Sequence, residues 1–192
     1  MSVLGLHPHP LPEFISSPRL VLKRHEESVA PKMFQTVQDE RARLSKHLSW
    51  IESVRTIADM KLYLELTDGA WQRDHAFEYG IFRKSDTEYL GNMMVHTISW
   101  PNRRCELGYW ITEKAEGQRY ISEAARALES HLFQAGFHRI EIRCSTENQR
   151  SAYIPKSCGY HLEGELKEDS IENGKYRNTL LFAKLAPYRS PV

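Results

Sequence analysis

Cysteine is scarce in this 192-residue chain, and the three present, Cys105, Cys144 and Cys158, lie far apart. Three is an odd count for a disulfide framework, and no C-x-x-C pair marks a metal site, so buried free thiols in a reducing compartment are expected. An excess of one charge is lacking too. Lys and Arg total 26 against 25 Asp and Glu, a formal net charge of +1, which argues against a polybasic binder of nucleic acid. No apolar run approaches the ~20 residues of a membrane span. Met1 to Pro12 holds no charged segment followed by an apolar one, so no secretory signal is expected. His7 and His9 have no second cluster of ligands in register and should be solvated, not metal-bound. A cytoplasmic protein with no membrane partner is the expectation.

What is present has the composition of an ordinary globular protein, 41% hydrophobic and 27% charged, and the length suffices to bury a core without staples. Residues 1–17, stiffened by prolines, read as an extended arm. Residues 18–186 read as one domain and 187–192 as a tail. Arg19 to Lys23 alternates polar and apolar residues and should open the fold as a strand. From Glu26 to Gln72 the pattern is helical, with Met33, Phe34 and Val37 on one apolar face, a break at Trp50-Ile51, then Met60, Leu62, Leu64 and Leu66. Ala76 to Arg83, Tyr89 to Ile98 and Cys105 to Ile111 have strand composition with turn residues between them, the likeness of three consecutive antiparallel strands. Ile121, Ala124, Ala125, Leu128 and Leu132 then share one helical face, with Gly136 as its stop. Ile140, Ile142 and Cys144 alternate as a strand, Ser151 begins a short helix, and Tyr160 to Leu166 and Tyr176 to Leu185 are strand-like. The order from Cys105 to Cys144 is a βαβ crossover within a mostly antiparallel sheet. Trp50, Trp71, Trp100 and Trp110 are expected in the core and in cleft walls.

Several stretches then carry a family resemblance: Glu106-Leu107-Gly108-Tyr109-Trp110-Ile111, Glu116-Gly117-Gln118-Arg119-Tyr120-Ile121-Ser122, His138-Arg139-Ile140-Glu141, Glu147-Asn148-Gln149-Arg150-Ser151 and Gly159-Tyr160-His161-Leu162-Glu163-Gly164. In this order the chain, from about Pro18 to Leu185, resembles the GNAT acetyltransferases, and within them the branch that acetylates N-terminal amines of ribosomal proteins. The resemblance implies an α/β (α+β) fold, a mixed and mostly antiparallel sheet of about seven strands flanked by helices. It implies acetyl-CoA as acetyl donor, an amine acceptor such as a ribosomal-protein N-terminus, and a homodimer as a common state. Tyr109, Trp110 and Ile111 would pair with the pantetheine arm as an added strand. The loop Glu116, Gly117, Gln118, Arg119, Tyr120, Ile121 and Ser122 would bind the pyrophosphate through backbone N–H groups and a helix N-terminus. Asn148 would fix the strand end and the cofactor arm.

Two residues depart from the family loop, which usually reads Q/R-x-x-G-x-G/A. Arg119 stands where glycine is usual, although a positive φ is costly for other residues. Glu116 stands where Gln or Arg is usual, and a carboxylate about 5 Å from a phosphate charge repels it by about 3 kcal/mol at an effective dielectric near 20. Arg119 can offset both changes by contacting phosphate and pairing with Glu116 three residues away. The alternative is a degenerate GNAT-fold protein, with weakened or lost CoA binding, that acts as a non-catalytic binding module.

Acetyl transfer needs a neutral amine and a stabilised thiolate. An α-amine titrates near 7.7–8.0, so a modest base suffices, and one hydroxyl donating a hydrogen bond can serve the thiolate. By resemblance Ser151 matches the serine that contacts the CoA sulfur; a purely helix-capping role is its other reading. Glu106 is the candidate base, with a structural ion pair as its other reading. The family's glutamate on the penultimate strand region is Ser170 here, flanked by Asp169 and Glu172. Pro155, four residues after Ser151, is expected to shorten or kink the helix that Ser151 starts.

Overall fold

In a computed structural model, which describes residues 10–172 and 174–187, one eight-stranded sheet has the order β1-β2-β3-β4-β5-β6-β8-β7. The strands are β1 Phe14–Ser16, β2 Leu20–Arg24, β3 Phe77–Arg83, β4 Tyr89–Ser99, β5 Arg104–Ile111, β6 Arg139–Ser145, β7 His161–Glu172 and β8 Lys175–Leu185. The helices are α1 Ala30–Leu44, α2 Ile57–Gln72, α3 Tyr120–Gln134 and α4 Gln149–Ser157. All neighbouring strands are antiparallel except β5 and β6, which α3 joins as the expected parallel crossover. Their pairing stops early. The last partners are Glu106 and Glu141, yet β5 continues to Ile111 and β6 to Ser145, so the sheet splits between its fifth and sixth strands.

The eighth strand is the one absent from the sequence reading. Phe14–Ser16 pairs with β2, and Leu11 and Ile15 are buried, so the stretch read as an arm already enters the fold before Pro18. His7 and His9 and the end of the expected tail, 188–192, lie outside the described residues.

Alternation along the strands divides the interior between two faces. Cys105 and Leu107 of β5 pack with Ile121, Ala124, Ala125, Leu128 and Leu132 of α3 in the larger cluster, while Trp110 joins Met33, Val37, Met60 and Leu64 of α1 and α2 in the smaller. Leu62 and Leu66, placed with Met60 and Leu64 on the sequence, are exposed instead. Residues two apart are ~200° apart around a helix, so the four cannot share a face. A capping box starts α2: Thr56 accepts from the Asp59 N–H and Asp59 from the Thr56 N–H. Gly136 ends α3 at φ 99°. Trp71 and Trp110 are buried; Trp50 stacks on Tyr63, and Trp100 is tilted against Phe137. All three cysteines are free and buried. Among the described residues, no helix is long and apolar enough to cross a membrane and no cluster of three metal-ligating side chains occurs.

Candidate active site

A cleft of about 1330 Å³ opens where β5 and β6 diverge, and most of the residues singled out on the sequence line it: Tyr109, Trp110 and Ile111 of β5, Glu116, Gly117 and Arg119 of the following loop, Tyr120, Ile121 and Ser122 of α3, and Asn148 and Ser151 at α4. Gln118 and Glu106 are not among its lining residues. The Gln118 side chain turns back to the Lys114 carbonyl, 3.0 Å away.

After β5 a short 3-10 turn, Glu113–Ala115, buries Ala115 and leads into Glu116 in extended conformation. Gly117 follows at φ 73° and Arg119 at φ 62°, ψ 19°, immediately before α3. Arg119 therefore keeps the left-handed backbone for which glycine is the usual residue, and it offers no side-chain cap. The first N–H groups of α3 thus receive no side-chain cap from Arg119 and carry the positive end of the helix dipole. A Cβ added at Gly117 would meet nothing within 4 Å, so the loop's face is open. We expect Arg119→Gly to stabilise the fold by about 1 kcal/mol through release of the left-handed penalty. A urea melt with an unchanged or lower midpoint would show that the Arg119 side chain contributes more than its backbone costs.

The pairing of Glu116 with Arg119 does not form. Glu116 instead lies between two other guanidiniums: Arg43 of α1 at 2.8 Å from its Oε1, and Arg150 of α4 on its Oε2. Arg43 also binds Glu40 at 2.6 Å and donates to the Ile111 carbonyl at the end of β5. The carboxylate that would repel a phosphate is thus offset by two guanidiniums, one of them shared with Glu40, and Arg119 adds a third arginine to the rim. Sequence spacing carries no sign of this, since Arg43 lies 73 residues from Glu116. Arg150 stood in a quoted motif without a role.

Asn148, not Ser151, caps α4: its Oδ1 accepts from the Ser151 N–H at 3.0 Å. The Ser151 hydroxyl is thereby spared capping and lies 3.3 Å from the Tyr109 hydroxyl. It also borders Cys144, whose thiol burial pushes up and the Ser151 hydroxyl partly brings down. Pro155 does not end α4, which runs two residues further to Ser157. Tyr153 lines the cleft but is exposed.

Glu106 projects from β5 to the opposite face from Tyr109, in step with Trp110. Its side chain is 15% exposed, with Oε2 3.5 Å from Arg143 Nε and Oε1 3.9 Å from His96 Nε2. Burial holds its carboxyl above the usual range; Arg143 opposes this and Glu141 and Asp169 reinforce it. Burial and Arg143 keep His96 below its ordinary value, hence neutral near pH 7. The ring stands where β4 bulges, before Thr97 at φ 51°. On β7, the buried Ser170 hydroxyl has no hydrogen-bond partner among the described residues, and Glu172 meets His47 at 3.2 Å. Sequence reading passed over His96 and Arg143, which become visible only once β4, β5 and β6 are laid side by side.

An open loop, an uncapped helix start, a glutamate offset by arginines and a split sheet together fit an acyl-CoA. Comparison with known proteins agrees. The model of the acetyltransferase (GNAT) domain family matches residues 19–161. A ribosomal-protein-serine acetyltransferase of Escherichia coli is 30% identical over 161 residues, 83% of this chain and 88% of that protein. The solved structure of RimL, a ribosomal L7/L12 alpha-N-protein acetyltransferase in complex with coenzyme A in a disulfide with one of its cysteines, superposes with a TM-score of 0.86 at 28% identity, covering 90% of this chain and 98% of that one. The microcin C7 self-immunity acetyltransferase MccE, solved with acetyl-CoA and AMP, shares the fold at 22% identity and a TM-score of 0.83, covering 88% and 93%. This chain belongs to the GNAT acetyltransferase family and is an acetyl-CoA-dependent N-acetyltransferase.

Proposed function

We propose that the acceptor is a protein N-terminal α-amine, of the kind presented by a ribosomal protein, and that Glu106 and Ser151 serve the transfer from opposite faces of the split sheet. The observation that carries the reading is this division. A carboxylate raised by burial stands on one face, a hydroxyl released from capping on the other, and the gap between β5 and β6 joins them. An amine arriving from the Glu106 face loses its proton to that carboxylate, directly or through water, as the acyl carbon is attacked. The thiolate leaves toward the Ser151 face, where the hydroxyl donates a hydrogen bond to it. A modest base is enough for an α-amine near 7.7–8.0, whereas a lysine side chain near 10.4 holds its proton about 2.5 units more tightly. The pyrophosphate of the donor is held by the α3 N-terminus and the arginine rim. The names of the relatives support the acceptor class.

Acetyl-CoA binding measured by titration calorimetry should be micromolar. Peptides with a free N-terminal Ser or Ala should be acetylated there, as located by fragment mass spectrometry. Ser151→Ala should lower kcat by about tenfold or more, the worth of a hydrogen bond to a charged group, with KM for acetyl-CoA little changed. Acetylation confined to lysine side chains or small polyamines would sink the acceptor assignment.

A further inference from the structure

Pro155 sits inside α4 and is buried, an unusual place for a residue that disrupts helices. It has no N–H, so the carbonyl four residues earlier loses its helical partner, and the ring pushes that carbonyl outward. That carbonyl belongs to Ser151. It is not orphaned, because the Tyr109 hydroxyl donates to it at 3.0 Å. The same Tyr109 oxygen lies 3.3 Å from the Ser151 hydroxyl, which donates to it. One phenol thus holds one serine at two points, its main-chain oxygen and its side-chain oxygen. The two residues come from β5 and α4, on either side of the gap in the sheet.

We propose that Pro155 and Tyr109 are positioning residues for Ser151: the proline frees the carbonyl, and the tyrosine uses it to fix the serine hydroxyl at the cleft. This rests on the role given to Ser151 above. The Tyr109 hydroxyl hydrogen is engaged by the Ser151 carbonyl, so Tyr109 is not itself the donor to the thiolate. Its oxygen is left as an acceptor. That oxygen holds the Ser151 proton weakly, at 3.3 Å, until a stronger acceptor, a developing thiolate, draws it away. The departure at Pro155 is on this view part of the site.

The test is a set of variants assayed for kcat, for KM toward acetyl-CoA and for melting temperature. Tyr109→Phe should lower kcat about tenfold, the effect of one hydrogen bond on a barrier, with KM changed less than about twofold, and should lower the melting temperature by stranding the Ser151 carbonyl. Pro155→Ala restores an N–H to the helix. It should raise the melting temperature and still lower kcat by a similar factor, because the carbonyl returns to the helix and Tyr109 loses its hold. The double variant should regain the stability lost in Tyr109→Phe, with a kcat no lower than that of either single variant. In a Ser151→Ala background neither change should lower kcat further. Losses that multiply, or that persist without the Ser151 hydroxyl, overturn the proposal. If Ser151→Ala itself leaves kcat intact, the role of Ser151 fails and the positioning argument with it. If Ser151→Ala lowers kcat while Tyr109→Phe and Pro155→Ala do not, only the positioning argument fails.

Discussion

Exchanging Glu106 for glutamine is expected to lower kcat by about 100-fold or more while making the protein more stable at neutral pH. The first effect follows from the role proposed for Glu106, since a general base is worth about 10²–10⁴. The second follows from burial. Glu106 titrates above the usual carboxylate range, and burial is the largest cause. A carboxyl whose folded value is raised above its unfolded one favours folding while protonated, and this contribution is lost as pH rises through the folded value. Glutamine suffers no such loss. The stability gained by the variant should therefore be small in acid and grow toward pH 7, read from melting temperatures across that range. In the parent enzyme the acidic limb of kcat/KM should lie above the ordinary carboxylate range for the same reason. A variant with full activity would remove Glu106 from the chemistry and leave it as the partner of Arg143. Lost activity without the pH-dependent gain would show that the carboxylate is better solvated than its 15% exposure indicates.

Alanine at Gly91 should be among the most damaging single substitutions, costing about 3 kcal/mol or forcing the strands apart. Gly91 pairs with Ile111 across β4 and β5. An added Cβ would lie 2.2 Å from the Trp110 carbonyl oxygen and 2.7 Å from the Ile111 Cα, distances that no side-chain rotation relieves because both atoms are main chain. The damage falls at the mouth of the cleft, where Trp110 and Ile111 are lining residues and the Ile111 carbonyl receives Arg43. Acetyl-CoA affinity should fall along with stability, and calorimetry on the folded fraction separates the two. A urea midpoint equal to that of the parent would mean that β4 can slide away from β5 at no cost, contrary to their close approach.

Elements with sustained periodicity were legible in the sequence. The five apolar positions of α3 all proved buried, and the strand expected from Cys105 to Ile111 is β5. Phe14–Ser16 was not legible, because three residues between prolines cannot display a period and their place is set by pairing with β2. At the site, backbone requirements could be read and side-chain partners could not. A glycine position occupied by Arg119 correctly signalled a left-handed residue, whereas the partner of Glu116 came from α1, an element with no local tie to the loop. The cap of α4 moved by three residues, from Ser151 to Asn148, and that small shift sets the Ser151 hydroxyl free.

The early end of β5–β6 pairing has a consequence for exchange with solvent. From Leu107 to Ile111 one flank of β5 faces no strand, so the protein carries a short sheet edge in its middle. Edges elsewhere recruit other chains; this one is recessed and can be completed only by something as narrow as a single extended strand. Amide deuterium uptake along this stretch should fall when the donor is present, so the fold's own gap becomes its occupancy gauge.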